Sequence, residues 1–223
     1  MKRSKRLLKL LELVPSNSKV VFDVGADHGI LSALILNTGK SEMVYASDIS
    51  EKSLNKTEIL AKNIGLEEKL RCIVSDGLDN FDKSIESDMV IIAGMGGNEI
   101  VKILTKISDF SKYKAFLLQP AQDFYVLRQY LTTSGFEVIK DEIVEDKGKY
   151  YTNIICKKSD KETTFSEIQL YFGKDAIQDR SVDFIGFVNY TYNKLLAIKE
   201  YLGELDLKKL EFCESVLNKN KGR

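Results

Sequence analysis

Apolar and polar positions along this chain follow two rhythms. Short unbroken apolar runs, such as Val20-Val21-Phe22 and Met89-Val90-Ile91-Ile92, read as strands buried on both faces. Between them, apolar residues return every three or four positions, as in amphipathic helices. The pattern predicts strands near 19–24, 43–48, 70–75, 88–93, 114–119, 136–144 and 150–157. Helices are predicted near 5–14, 29–37, 51–63, 97–108 and 123–133. Strand–helix alternation implies an α/β fold with a mostly parallel sheet covered on both faces and wound right-handedly. The last two strands are separated only by Glu145-Asp146-Lys147-Gly148-Lys149, enough for a turn, so they should form an antiparallel hairpin at the sheet edge.

Beyond Lys158 the rhythm changes. Ser159-Asp160-Lys161-Glu162-Thr163 reads as a polar linker, and no strand-like run follows Phe165. Val188, Tyr192, Leu195, Ile198, Leu202 and Leu205 form a helical stripe, which Gly203 is expected to break into two helices that fold back on each other. The chain therefore divides into residues 1–158 and a small helical domain over 159–223. The aromatics of this second part, at helical spacing, are expected to pack a small core.

The strand ends carry the chemistry. The first strand runs into Asp23-Val24-Gly25-Ala26-Asp27-His28-Gly29, two glycines flanked by carboxylates. Glycine lets backbone approach a ligand closely. A dinucleotide turn has three glycines for a pyrophosphate, whereas Asp23 and Asp27 would repel that group. They suit a ligand with cationic and hydroxyl groups, such as S-adenosylmethionine. The second strand closes on Asp48, placed to accept from ribose hydroxyls or to cap the helix beginning near Glu51. The third closes on Asp76-Gly77, beside which a nucleobase would lie. Three consecutive strands ending in acids point to a nucleoside-type cofactor. The fourth runs into Gly94-Met95-Gly96-Gly97, where a methyl group and its acceptor should meet.

Composition sets limits on the alternatives. There are 33 Lys and Arg against 33 Asp and Glu, so no global field draws the protein to nucleic acid. The exception is the start, where Lys2, Arg3, Lys5, Arg6 and Lys9 face one acid, Glu12; this cluster suits phosphate contacts and equally a solvated helix face. Three dispersed cysteines and one histidine argue against a disulfide framework, a zinc site and multi-histidine metal chemistry. No apolar run approaches the ~20 residues that span a bilayer. The basic start lacks the apolar core and cleavage site of a signal peptide, so a cytoplasmic location is expected.

Absences narrow the acceptor. No Asn/Asp-Pro-Pro-aromatic turn follows the fourth strand, as expected for exocyclic amines, and no cysteine nucleophile lies near it, as a pyrimidine carbon requires. A ring nitrogen needs neither, because its lone pair attacks directly and positioning supplies the acceleration.

Seven strands ending in an antiparallel hairpin is the layout of class I S-adenosylmethionine-dependent methyltransferases, which this chain resembles. More closely, Ser4-Lys5-Arg6-Leu7, the Asp23–Gly29 turn, Asp76-Gly77-Leu78, Ala93-Gly94-Met95-Gly96-Gly97, Leu118-Gln119-Pro120 and Asp146–Tyr151 resemble the bacterial tRNA (adenine-N1)-methyltransferases acting on adenine 22 of the D-arm. The resemblance covers residues 4 to about 157. It implies a class I catalytic domain and a helical, coiled-coil-like C-terminal domain that helps hold tRNA. The sequence itself points to no membrane or metal, and no obligate protein partner is evident in it. His28 departs from the family's continuation, being followed by Gly29-Ile30-Leu31-Ser32, and Ser47-Asp48 stands where Gly-Glu is usual. As the lone histidine on the cofactor turn, His28 is the candidate acceptor for a proton from the adenine N6 amine. Competing readings are an NAD-dependent oxidoreductase, which the missing third glycine disfavours, a methyltransferase for another RNA site, and an RNA-binding protein without catalysis.

Overall fold

The computed structural model describes residues 4–161 and 163–218. The first part is a three-layer α/β unit. Strands β1 (Ser18–Val24), β2 (Ser41–Asp48), β3 (Leu70–Val74), β4 (Met89–Ala93), β5 (Phe116–Gln119), β6 (Phe136–Asp146) and β7 (Lys149–Lys158) form one sheet. Their order is β3-β2-β1-β4-β5-β7-β6. The first five are parallel; β7 pairs antiparallel with both β5 and β6. The order reverses between β1 and β4, where ligands bind in open α/β sheets. The predicted strands and the edge hairpin are all present.

Both faces of the sheet are buried, and β1 shows how. Phe22 and Val24 join Val90, Ile92, Ile100, Leu118 and Leu127 on one face. Val21 joins Leu10, Ile35, Val44, Ile91 and Leu117 on the other. Successive strand residues point to opposite faces, so Asp23 is directed into the second core. The helices that cover these faces are α1 (Lys5–Leu13), α2 (Ile30–Asn37), α3 (Glu51–Asn63), α4 (Gly97–Thr105) and α5 (Phe124–Thr133). Helix α1 starts on a Ser4 cap, and the Asp146 carboxylate lies against that start, accepting from Ser4 Oγ at 2.6 Å. Hydrogen bonds from Ser4 and from the Lys5 and Arg6 amides hold the Asp146 carboxyl below its usual range.

The C-terminal part contains α6 (Glu167–Phe172), α7 (Lys174–Asp179), α8 (Val182–Leu196) and α9 (Glu204–Asn218). The expected packing role of its aromatics holds for Phe172, Phe184 and Phe187, which are buried with Val188, Cys213 and Val216. The stripe ends earlier than expected. Helix α8 stops at Leu196, a 3-10 turn covers Lys199–Tyr201, and Ile198 and Leu205 are exposed. Ile143 of β6 belongs to the same buried cluster, so the helical part shares its core with the sheet edge. Arg128 fastens the junction: Nη1 donates to the α6 carbonyls of Leu170 and Tyr171, while Nε and Nη2 donate to Asp141 of β6 at 2.7 and 2.9 Å in a fully buried ion pair.

Candidate active site

The loops after β1, β2 and β3 are laced together by backbone groups. The Gly25 and Ala26 amides both donate to the Ser47 carbonyl, at 2.8 and 2.9 Å. The Ser75 amide donates to the Asp48 carbonyl, and Ser47 Oγ to the Gly77 carbonyl. Gly25 has φ +73°, and a Cβ there would overlap Met95 Cε. Only glycine combines that backbone conformation with that close approach.

Asp48 does not cap α3; Ser50 does, accepting from the Ser53 amide at 3.2 Å. The Asp48 carboxylate instead spans two loops, with Oδ1 accepting from the Ser50 amide at 2.8 Å and Oδ2 from the Asp27 amide at 3.1 Å. Each oxygen keeps a lone pair for a further donor.

A cavity of about 460 Å³ opens at these strand ends, lined by Gly25, Asp48, Asp76, Gly77, Gly94 and Met95. It brings together residues predicted from four separate strand ends. Lys106 of the loop after α4 lies on its rim, donating to Asp76 at 2.7 Å and to Asp79 at 2.8 Å. The hydrogen bonds to Asp76 and Asp79 raise the Lys106 ammonium well above the ordinary lysine range. No sequence signal marked Lys106.

A second cavity, about 660 Å³, is lined by Arg6, Asp23, Asp27, His28, Ile30 and Leu31. The two share Gly25, Ala93 and Gly94, so they meet at the loop predicted to join donor and acceptor. Asp23 thus lies on the second cavity rather than the first. Its carboxylate is buried and accepts from Ser32 Oγ at 2.5 Å. Burial pushes its pKa up to about 6, with the Ser32 hydroxyl and amide pulling the other way.

Asp27 and His28 act as a pair. His28 Nδ1 is 2.6 Å from Asp27 Oδ1, and Nε2 is 2.8 Å from Lys56 Nζ. The carboxylate partner places the ring proton on Nδ1 and leaves the lone pair on Nε2, facing the lysine. Asp27 also accepts from Ser53 Oγ at 3.3 Å.

Among the described residues the basic cluster does not stay together. Lys2 and Arg3 lie outside the described residues. Lys5 and Lys9 face carboxylates of β6, Glu145 at 3.6 Å and Glu142 at 3.1 Å. Arg6 turns inward: its Nε donates to Gln119 Oε1, and its guanidinium lies 5.1 Å from the centre of the Tyr151 ring. Gln119 and Tyr151 belong to motifs singled out in the sequence without an assigned role.

Among the described residues, no group of three or more His, Cys, Asp or Glu side chains is placed to hold a metal ion. No described helix is long and apolar enough to cross a membrane.

The reversal of strand order, the acid-tipped loops and the twin cavities define a Rossmann-like transferase that takes a nucleoside-type cofactor. The chain belongs to the methyltransferase domain family, whose model matches residues 3–155. It is 29% identical to the tRNA (adenine(22)-N(1))-methyltransferase of Bacillus subtilis, over 78% of this chain and 72% of that protein. Two solved structures share the fold along almost the whole chain. Sp1610 of Streptococcus pneumoniae, in complex with S-adenosyl-L-methionine, superposes with a TM-score of 0.88 at 25% identity, covering 96% of this chain and 99% of that one. Mycoplasma capricolum TrmK, in complex with S-adenosyl-homocysteine, does so with a TM-score of 0.81 at 23% identity, covering 99% and 97%.

Proposed function

We propose that this protein is an S-adenosylmethionine-dependent tRNA (adenine-N1)-methyltransferase acting on adenine 22 of the D-arm. The observation that carries the reading is the pair of cavities meeting at Gly25, Ala93 and Gly94. The residues of the first fit the cofactor. Gly25 keeps its wall free of a side chain at the closest point, Asp48 has lone pairs free for ribose hydroxyls, and Asp76-Gly77 edges the place of the adenine. When bound, the cofactor supplies a methyl group on a sulfonium, which the carboxylates around the turn favour.

The chain's remaining work is on the acceptor side. The Gly94–Gly97 loop, free of bulk except for Met95, positions the base. N1 of adenine carries its own lone pair, so no group must remove a proton before attack. His28 then acts through Nε2, which exchanges Lys56 for the N6 amine as its hydrogen-bond donor when the ring becomes cationic, with Asp27 holding the imidazole in the required tautomer. Residues 1–158 form the catalytic domain and 159–223 the helical domain that helps hold tRNA, in the cytoplasm where tRNA is found. Incubation of unmodified tRNA with the protein and labelled S-adenosylmethionine, followed by mapping of the methylated nucleotide, tests the whole reading. Label at adenine 22 is expected; cofactor binding with no transfer to any tRNA would leave an RNA-binding protein without catalysis.

A further inference from the structure

The charged groups lining the second cavity are not equally available. Asp23 is covered by Ser32. Asp27 is held by His28 and Ser53, and His28 by Lys56. Arg6 differs from all of them. Its Nε is committed to Gln119, and one ring face of Tyr151 supports the guanidinium. Among the described residues neither Nη nitrogen has a hydrogen-bond or ion-pair partner, and Nη2 would stand only 3.0 Å from a Cβ at Gly94. The cation therefore reaches the point where the two cavities meet.

The fixing of Arg6 is itself polarised. Arg6 has only donors, so Gln119 must present its oxygen to it and its amide nitrogen to Asn153 Oδ1, at 2.7 Å. Gln119 also holds the loop, its carbonyl accepting from the Gly94 amide at 2.9 Å. A guanidinium held at Nε, braced on one face and left with its Nη edge open is a preorganised fork for an oxyanion.

We propose that Arg6 grips a backbone phosphate flanking the acceptor nucleotide, holding that nucleotide out of its stack and over the Gly94–Gly97 loop. This rests on the reading of the protein as a tRNA methyltransferase. An enzyme that reacts at a base edge must extract the nucleotide from its helix, and a grip on the adjoining phosphate fixes it without touching the base. It also separates Arg6 from Lys5 and Lys9, which already pair with β6 carboxylates.

The test uses the full chain and a tRNA in which one phosphate flanking the acceptor adenosine is replaced by a neutral methylphosphonate. For the wild type, neutralising the gripped phosphate should raise Kd and KM about tenfold, the scale of one charge-assisted hydrogen bond. Arg6→Gln should bind the unmodified tRNA more weakly by a similar factor and be indifferent to the methylphosphonate. Its plot of log affinity against log salt should be shallower by ~0.7–0.9, one phosphate contact. Arg6→Lys should keep the salt slope while losing affinity, because it retains the charge without the fork. Cofactor affinity, measured by calorimetry, reports whether each variant is folded. Equal sensitivity of wild type and Arg6→Gln to the methylphosphonate, or no sensitivity of the wild type at either flanking phosphate, overturns the proposal. A wild type that methylates no tRNA would instead reject the reading on which it rests.

Discussion

Replacing Asp23 by Asn should make the protein more stable at neutral pH. The side chain is only 3% exposed and has one hydroxyl partner, Ser32 Oγ at 2.5 Å. A carboxylate so placed loses hydration that the Ser32 hydroxyl and amide do not restore, and its pKa rises from 3.8 to about 6. Because the folded value lies above the unfolded one, the folded state binds the proton more tightly between these values. Stability from this group is therefore full below about pH 4 and is lost as pH rises through about 6. The gap corresponds to about 3 kcal/mol at neutral pH. Asn keeps an oxygen for Ser32 and has no charge to desolvate. Urea denaturation should then show Asp23→Asn more stable than wild type by up to about 3 kcal/mol at pH 8, with the gain vanishing by pH 4. A variant no more stable at pH 8, or a gain that does not change between pH 4 and 8, would refute the reasoning. Retaining an acid that weakens the fold fits a residue kept for the acceptor cavity that it lines.

Three other outcomes follow from the geometry. Asp48→Ala removes the acceptor that joins the β1 and β2 loops and faces the first cavity, and cofactor affinity by calorimetry should fall by roughly 1–3 kcal/mol; unchanged affinity would remove Asp48 from the site. His28→Ala should lower turnover on tRNA by ~10²-fold with cofactor binding close to normal, whereas near-wild-type turnover would leave the histidine a purely structural partner of Asp27 and Lys56. Arg128→Ala strands a buried carboxylate and should cost about 3–5 kcal/mol in urea denaturation, while the double variant Arg128→Met, Asp141→Leu should recover most of that loss; a single variant within 1 kcal/mol of wild type would show that Asp141 finds other compensation.

The centre of the sheet was legible because β1 and β4 are covered on both sides, so each appears as an apolar run that ends at a glycine. The gathering of Gly25, Asp48, Asp76 and Gly94 followed from topology alone, since parallel strands bring their carboxyl ends to one edge. Local chemistry was harder to read. Asp48 and Ser50 are both good caps, and only the path of the chain assigns the cap to Ser50 and the loop contact to Asp48. Arg6 was hidden for a different reason. In a tally of charge it counts with Lys5 and Lys9, and the partner that turns it inward, Gln119, is 113 residues away. The C-terminal stripe misled because Ile198 and Leu205 continue a helical spacing across a turn that the backbone makes between Leu196 and Glu204.

Helix α5 is clamped at two points. Near its start, Asp123 accepts from Asn98 Nδ2 at 2.8 Å, and its backbone lies so close to Gly97 that no side chain fits between them. Five residues on, about 7.5 Å along the axis, Arg128 holds the carbonyls of α6. The helix is therefore a strut with one foot on the glycine loop and the other under the helical unit. A load placed on that unit meets no free hinge at this point, because yielding would first require the α6 carbonyls to leave a guanidinium that the Asp141 ion pair holds in place. One helix thus ties the spacing between the outer helices and the loop to its own length, like the throat of a calliper.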